Sequence, residues 1–179
     1  TNIAGATSTT LVRNQTVTSQ YRLQATCGAA VSTSTPVTVT LNPPLACYCI
    51  PGTSDCTDDD VLLNVTFGTI NNTTTCSANG YGDFFSSVAP ANVEAGSNMP
   101  ISVRVPTSFT EQVSVWIDYN KNAVFEPNEY THLGSNAAGG TITGTVPVPA
   151  TAQLGATRMR VRVRFATALT SGQACTTYG

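Results

Sequence analysis

Apolar and polar residues alternate in several short runs along the chain. The clearest runs occupy residues 61–67, 101–105, 113–119, 142–148 and 159–165. A period of two is the pattern of a β-strand that buries one side and exposes the other. Turn-forming pairs such as Asn79-Gly80 and Gly139-Gly140 separate the runs, and a polar loop is expected from Asn71 onward. The pattern predicts an all-β fold, an antiparallel β-sandwich of immunoglobulin-like or jelly-roll-like type.

The first 45 residues form a separate region, rich in threonine and serine and low in charge. Alternation over residues 16–27 and 31–41 predicts an additional N-terminal strand pair, joined by a turn that contains Gly28. The run Asn42-Pro43-Pro44 interrupts this pattern. We therefore expect two regions, residues 1–45 and residues 46–179.

Composition narrows the function classes. Charged residues make up 10% of the chain and the net charge is −2, so no basic footprint for nucleic acid exists. No apolar run reaches the ~18 residues of a membrane span. The sequence has one histidine, His132, and lacks the motifs of a nucleophile elbow, a P-loop or a zinc protease. We expect no enzymatic activity, and we interpret the chain, which begins at Thr1, as part of a longer protein.

Six cysteines, a number that allows fifteen pairings, indicate a disulfide framework. The chain contains no Cys-x-x-Cys pair, and zinc ligation is accordingly the weaker interpretation. Disulfides imply an oxidising compartment, which predicts a secreted or cell-surface protein. The cysteines are Cys27, Cys47, Cys49, Cys56, Cys76 and Cys175.

The segment from Asp118 to Glu129 has the spacing of a calcium-binding loop. Hard cations take six to eight oxygen ligands, and an EF-hand-type loop supplies them from positions 1, 3, 5, 7, 9 and 12. Position 6 is Ala123 instead of glycine, and the flanking segments resemble strands. The alternative is a hairpin turn whose side chains bond their own backbone. The predicted Ca²⁺ ligands are Asp118, Asn120, Asn122, the Val124 carbonyl, Glu126 and Glu129.

Three other features have a functional and a structural interpretation. Four arginines share one face of a predicted strand: Arg158, Arg160, Arg162 and Arg164. The functional interpretation is a ligand stripe for anions, and the structural interpretation is a solvated face with acidic partners across the sheet. Trp116 is a sugar-stacking platform or, as we favour, a core residue. The run Asp58-Asp59-Asp60 is a cation contact or, as we favour, an exposed loop.

From Tyr48 onward, several motifs follow one another along the chain: Tyr48-Cys49, Gly80-Tyr-Gly-Asp83, Trp116-Ile-Asp-Tyr-Asn120 with Phe125 and Glu129, Val146-Pro-Val-Pro149, Gly155-Ala-Thr-Arg-Met-Arg160, and Cys175 before Tyr178-Gly179. In this order they resemble the GEVED domain of secreted proteins in Bacteroidetes. The naming motif of that family begins at Gly179, so its strand is expected beyond this chain. Residues 1–45 resemble the last two strands of an immunoglobulin-like module.

The resemblance carries expectations about pairing and function. Cys49 and Cys175 lie at the two ends of the GEVED-like region and should pair, and Cys56 and Cys76 should close a local loop. Cys27 and Cys47 are then left as the third pair.

The implied function is a non-catalytic structural or adhesive module at a bacterial cell surface, or the repeating subunit of a filament. Its partners would be neighbouring copies or adjacent repeats, joined by strand complementation through residues 1–45. The alternative is an accessory carbohydrate-binding domain of a secreted hydrolase, with glycans as ligands.

Overall fold

The computed structural model describes residues 3–42, 46–136 and 140–177. The chain divides into two compact units, Thr1–Pro43 and Pro44–Gly179. Regular structure in the described residues consists of antiparallel strands with short 3-10 turns, which confirms the all-β prediction. No described helix has the length and apolar character needed to cross a membrane.

The N-terminal unit contains two small antiparallel ribbons. Its strands are β1 (Ser19–Tyr21), β2 (Gln24–Cys27), β3 (Ala30–Thr33) and β4 (Val37–Val39). β2 pairs with β3 through a tight turn in which Gly28 has a φ of 58°, and β1 pairs with β4. Glycine adopts this left-handed conformation without steric cost, which explains the reversal at this position.

The second unit is a sandwich of two antiparallel sheets. One sheet has the order β10-β7-β5-β6 and the other has the order β11-β8-β9. The strands are β5 (Asn64–Phe67), β6 (Ile70–Thr73), β7 (Asn98–Val105), β8 (Glu111–Ile117), β9 (Tyr130–Asn136), β10 (Gly140–Pro147) and β11 (Met159–Phe165).

The core between the two sheets consists of the inward-facing residues of both. Val103, Val113 and Val115 have no exposed surface, and Phe67 and Ile142 are 4% exposed. The buried residues of this core come from β5, β7, β8, β10 and β11, and they occupy alternate positions of the strands as predicted. Burying side chains of this size contributes about 1.5–3 kcal/mol each, which makes the inter-sheet core the main source of stability.

The sequence pattern did not predict two of the strands, β6 and β9. The segment from Ile70 to Thr73 was expected to begin a polar loop, but it pairs with β5 after a turn in which Gly68 has a φ of 56°. The strand β9 pairs with β8 around a bulge beside Gly134, whose φ is 106°. An edge strand buries little, so polar residues occupy it and the apolar alternation that identifies a strand is weak.

The six cysteines form two disulfides. Cys49 pairs with Cys175 across 126 residues, and Cys56 pairs with Cys76 across 20 residues. Both bonds were predicted. The predicted third bond, between Cys27 and Cys47, is not among the disulfides of the structure, in which Cys27 is an exposed thiol on β2.

Candidate functional site

Several of the family-like motifs meet on the outer face of the β11-β8-β9 sheet. A second apolar cluster forms there, on the opposite side from the inter-sheet core, around Trp116, Phe125 and Leu169. The Cys49–Cys175 disulfide packs against it and joins the two segments that cover the face. We call this apolar cluster, the Cys49–Cys175 disulfide and the guanidinium groups of Arg158, Arg160 and Arg162 the outer cluster.

Tyr48 connects the start of the second unit to the loop after β8. Its hydroxyl donates a 2.5 Å hydrogen bond to the Asp118 carboxylate, and its ring stacks against Phe125 with centroids 5.2 Å apart. Burial, together with the bond to Asp118, raises the pKa of Tyr48 to about 12. The hydroxyl therefore stays protonated and remains a donor at every physiological pH.

Arg158 stands between two aromatic rings at the rim of the outer cluster. Its guanidinium lies 4.8 Å from the centre of the Phe85 ring and 5.5 Å from that of Tyr48. It also donates to the Asp83 carboxylate at 3.1 Å. This group of contacts links the Gly-Tyr-Gly-Asp segment to the residue that precedes β11.

Arg160 and Arg162 are buried, with 6% and 7% of their surface exposed. Both donate hydrogen bonds to backbone carbonyls. Arg160 donates to the carbonyls of Ala174 at 2.7 Å and Cys49 at 2.5 Å, and burial lowers the pKa of its guanidinium. Arg162 donates to the carbonyls of Gln173 and Thr176. A planar guanidinium can reach two acceptors at once, which suits it to this task.

These positions correct both interpretations of the arginine row. Neither an exposed ligand stripe nor a solvated face describes Arg160 and Arg162, because residues 168–176 lie over this part of the strand and their carbonyls accept hydrogen bonds from both guanidinium groups. Arg164 is half-buried opposite Gln112. The row shares its face with Trp116, as the strand register requires.

Trp116 is a core residue, as we favoured. Its side chain has no exposed surface, and its indole N–H donates to the Ser171 carbonyl at 2.9 Å. The ring packs on Tyr130 with centroids 5.1 Å apart. A buried ring cannot stack on a sugar, so Trp116 does not support the carbohydrate-binding alternative.

The loop from Asp118 to Glu129 is organised by side chains that bind its own backbone. Asp118 has no exposed surface and accepts from the N–H groups of Asn122 and Ala123. The Asn120 and Asn122 side-chain oxygens accept from the N–H groups two residues on. Ala123 takes a φ of 65°, the left-handed conformation that glycine adopts more readily.

Glu129 closes the loop from its far end. Its carboxylate accepts from the N–H groups of Tyr119 at 2.8 Å and Glu126 at 3.0 Å, and Asn120 donates its side-chain amide to Glu126 at 2.6 Å. Burial, with a smaller contribution from the charge of Asp118, raises the pKa of Glu129. Two buried carboxylates thus lie in one loop.

The loop contains oxygen atoms of the kind that a hard cation binds, but its acidic side chains do not surround one point as they do in an EF-hand. Within the described ranges, no three Asp, Glu, His or Cys side chains surround a common point. Val124 is exposed and Glu126 is half-buried. The two buried carboxylates, Asp118 and Glu129, are the members of the predicted set that fit a cation best.

One acidic residue was missed by the sequence reasoning. Glu111, at the start of β8, is 1% exposed and lies near Asp60, which is half-buried, not fully exposed as expected. The available signal was its position in the alternating row Glu111, Val113, Val115, which placed it on the core side.

Comparison with known proteins gives one family. The model of the family described as "GEVED domain" matches residues 112–179, which include β8 except for Glu111, the Asp118–Glu129 loop and β11. No curated protein and no solved structure matches the chain. GEVED is an extracellular type of domain, and the two disulfides agree with that. Residues 112–179 of this chain thus match the GEVED domain family, which confirms the resemblance seen in the sequence over that part of the chain.

Proposed function

We propose that this protein is a non-catalytic structural or adhesive module of the bacterial cell surface, and that its N-terminal unit docks onto a neighbouring copy or repeat. The observation that carries the proposal is the exposure of apolar side chains in that unit. The exposed large hydrophobic residues there are Leu11, Val12, Val17, Leu23, Val31, Val37, Val39 and Leu41.

Isolated two-stranded ribbons are marginal in water, because they bury too little apolar surface to offset their conformational entropy. In β2, β3 and β4 every residue is exposed, including Val31 at 56% and Val37 at 64%. Many exposed apolar side chains in one small unit favour an interaction site. A second module of the same type would bury these residues and complete the sheet.

Charge and strand order support a contact between unlike surfaces. The N-terminal unit contains Arg13 and Arg22 and no acidic residue, so it carries +2; since the whole chain carries −2, the remainder carries −4. In the second unit, β6 is an edge strand, with β5 on one side and no strand on the other among the described residues. A free edge accepts an added strand through main-chain hydrogen bonds, and a head-to-tail contact of this type propagates into a filament.

Assembly of the full chain tests the proposal. We expect concentration-dependent oligomers or filaments by light scattering and electron microscopy, and we expect deletion of residues 1–45 to leave a monomer. In the full chain, Val31→Thr with Val37→Thr should weaken assembly, whereas Val93→Thr, an exposed valine of the second unit, should leave it unchanged.

Two results would contradict the proposal. One is a full chain that stays monomeric at high concentration, and the other is a truncated chain that still assembles. Binding of the monomeric chain to a glycan array would instead favour the carbohydrate-binding alternative.

We also propose that the Asp118–Glu129 loop binds Ca²⁺. The support is the burial of Asp118 and Glu129 in one loop whose donors to Asp118 are neutral, namely the Tyr48 hydroxyl and backbone N–H groups. The amide oxygens of Asn120 and Asn122 and the Val124 carbonyl would complete the ligand set. Bound calcium would hold the loop rigid and stabilise the outer cluster.

Limited proteolysis tests the loop directly. With calcium, cleavage after the exposed Lys121 should slow several-fold relative to chelator, and Asn122→Ala should remove this protection. Asn128→Ala, which changes an exposed asparagine outside the ligand set, serves as the control. Equal cleavage rates with calcium and with chelator would sink the loop proposal.

A further inference from the structure

Glu111 is a carboxylate in a row of apolar side chains. It lies opposite Phe165 in the β8–β11 register, on the same face as Val113 and Val115, which belong to the inter-sheet core. The side chain is 1% exposed. Neither of its carboxylate oxygens accepts a hydrogen bond from any described group. A buried carboxylate in this state is unfavourable unless something compensates its charge.

The side chain beside Glu111 is another acid, Asp60. The Asp60 carboxyl group lies within hydrogen-bonding distance of Glu111, and it also faces the backbone N–H of Phe165. Two carboxylates cannot donate to each other, so their contact is satisfied only when a proton or a cation lies between them. Burial and the charge of Asp60 raise the pKa of Glu111 to about 7, so a proton is held only weakly near neutral pH.

The surroundings add negative charge. Asp58 and Asp59 also act on Glu111 and raise its pKa. The Asp59 carboxylate accepts a hydrogen bond from the Ser108 hydroxyl at 2.6 Å. The backbone of Asp59 has a φ of 77°, which is unusual for a residue other than glycine. Arg164 lies opposite Gln112, which places it on the other face of the sheet from Glu111. The Asp60 and Glu111 carboxyl groups thus approach each other at the end of the inter-sheet core, and two further acids add negative charge around them.

We propose that Asp60 and Glu111 bind a divalent alkaline-earth cation, in a site separate from the Asp118–Glu129 loop. The chemistry is that of hard cations, which take carboxylate oxygens and keep several waters when two carboxylates are supplied. A cation would neutralise the buried Glu111 and connect the segment before β5 to the paired ends of β8 and β11. Asp58 strengthens the attraction from the exposed side of the site.

Calorimetric titration of the full chain with CaCl₂ and, separately, with MgCl₂ tests this site. After removal of metal by chelator at pH 7.5, the wild-type chain should bind one cation more per chain than Glu111→Gln. Asp60→Asn, a change at a half-buried position, should lose the same cation, which keeps the test valid if one variant folds poorly. Glu94→Gln removes an exposed acid elsewhere in the second unit and should bind like the wild-type chain.

Thermal unfolding gives an independent readout. At a cation concentration of about 100 times Kd, the site should raise the Tm by roughly 5–10 °C, and Glu111→Gln should lack this increment. Any cation held by the Asp118–Glu129 loop persists in the variant and is subtracted by the comparison. Equal stoichiometry and equal Tm increments in the wild-type chain and Glu111→Gln would overturn the proposal and leave a shared proton as the explanation of the acid pair.

Discussion

The Arg160 guanidinium donates to the carbonyl of Cys49, a residue 111 positions earlier in the chain, at the point where Cys49 is bonded to Cys175. The same guanidinium donates to the Ala174 carbonyl, next to the second half-cystine. One cation therefore holds both ends of the GEVED-like region, and the disulfide ties them covalently. The two interactions reinforce each other, since each reduces the freedom of the segments that the other must order.

Replacing Arg160 by lysine should destabilise the second unit. An ammonium group retains the charge but cannot span the carbonyls of Cys49 and Ala174 together, so one buried carbonyl loses its donor. We expect a loss of about 1.5–3 kcal/mol in the free energy of unfolding, measured with urea. Arg104→Lys changes an exposed arginine and should stay within about 0.5 kcal/mol of wild type, so equal effects at the two positions would contradict this role.

The two disulfides should differ in their contribution to stability. In the chain-entropy model, closing a separation of 20 residues is worth about 3 kcal/mol, and closing one of 126 residues about 5 kcal/mol. Cys49→Ser with Cys175→Ser should therefore lower the Tm more than Cys56→Ser with Cys76→Ser. Thermal denaturation of the two double variants decides this, and the opposite order would show that the local bond stabilises the fold more.

Replacing Ala123 by glycine should stabilise the loop after β8. Ala123 has a φ of 65°, a conformation that costs an alanine roughly 1–2 kcal/mol and a glycine little. Because glycine also loses more entropy on folding, we expect a net gain of up to about 1 kcal/mol in chemical denaturation. Ala95→Gly changes an exposed alanine without a positive φ and should be neutral or destabilising. A loss of stability in Ala123→Gly as large as in that control would refute the strain argument.

Without divalent cations, stability should fall as the pH rises toward neutrality. The pKa of Glu111 rises from 4.5 to about 7 on folding, because the site is buried and Asp60 is close. Between these values the folded chain binds more protons than the unfolded chain, so the free energy of unfolding decreases with increasing pH. Urea denaturation in chelator from pH 4.5 to 7.5 should show this slope, and Glu111→Gln should flatten it. An identical slope in the variant would show that Glu111 is not responsible.

The sequence alone determined the positions of most strands and the nature of the main core. Residues 101–105, 113–117 and 159–165 alternate strictly, and a period of two assigns each side chain to a face without reference to other parts of the chain. The motif order identified the family, and it led to the two disulfides that form. These inferences succeeded because they depend on local geometry or on matched residues.

Only the tertiary structure decided which faces are covered. Alternation places Arg160 and Arg162 on the face opposite Val161 and Val163, but that face is buried only because residues 168–176 return over it and supply carbonyl acceptors. Likewise, nothing near Glu111 in sequence reveals that Asp60 lies beside it. Burial and charge environment arise from contacts between residues distant in the chain, whereas the polar–apolar pattern records only the local direction of each side chain.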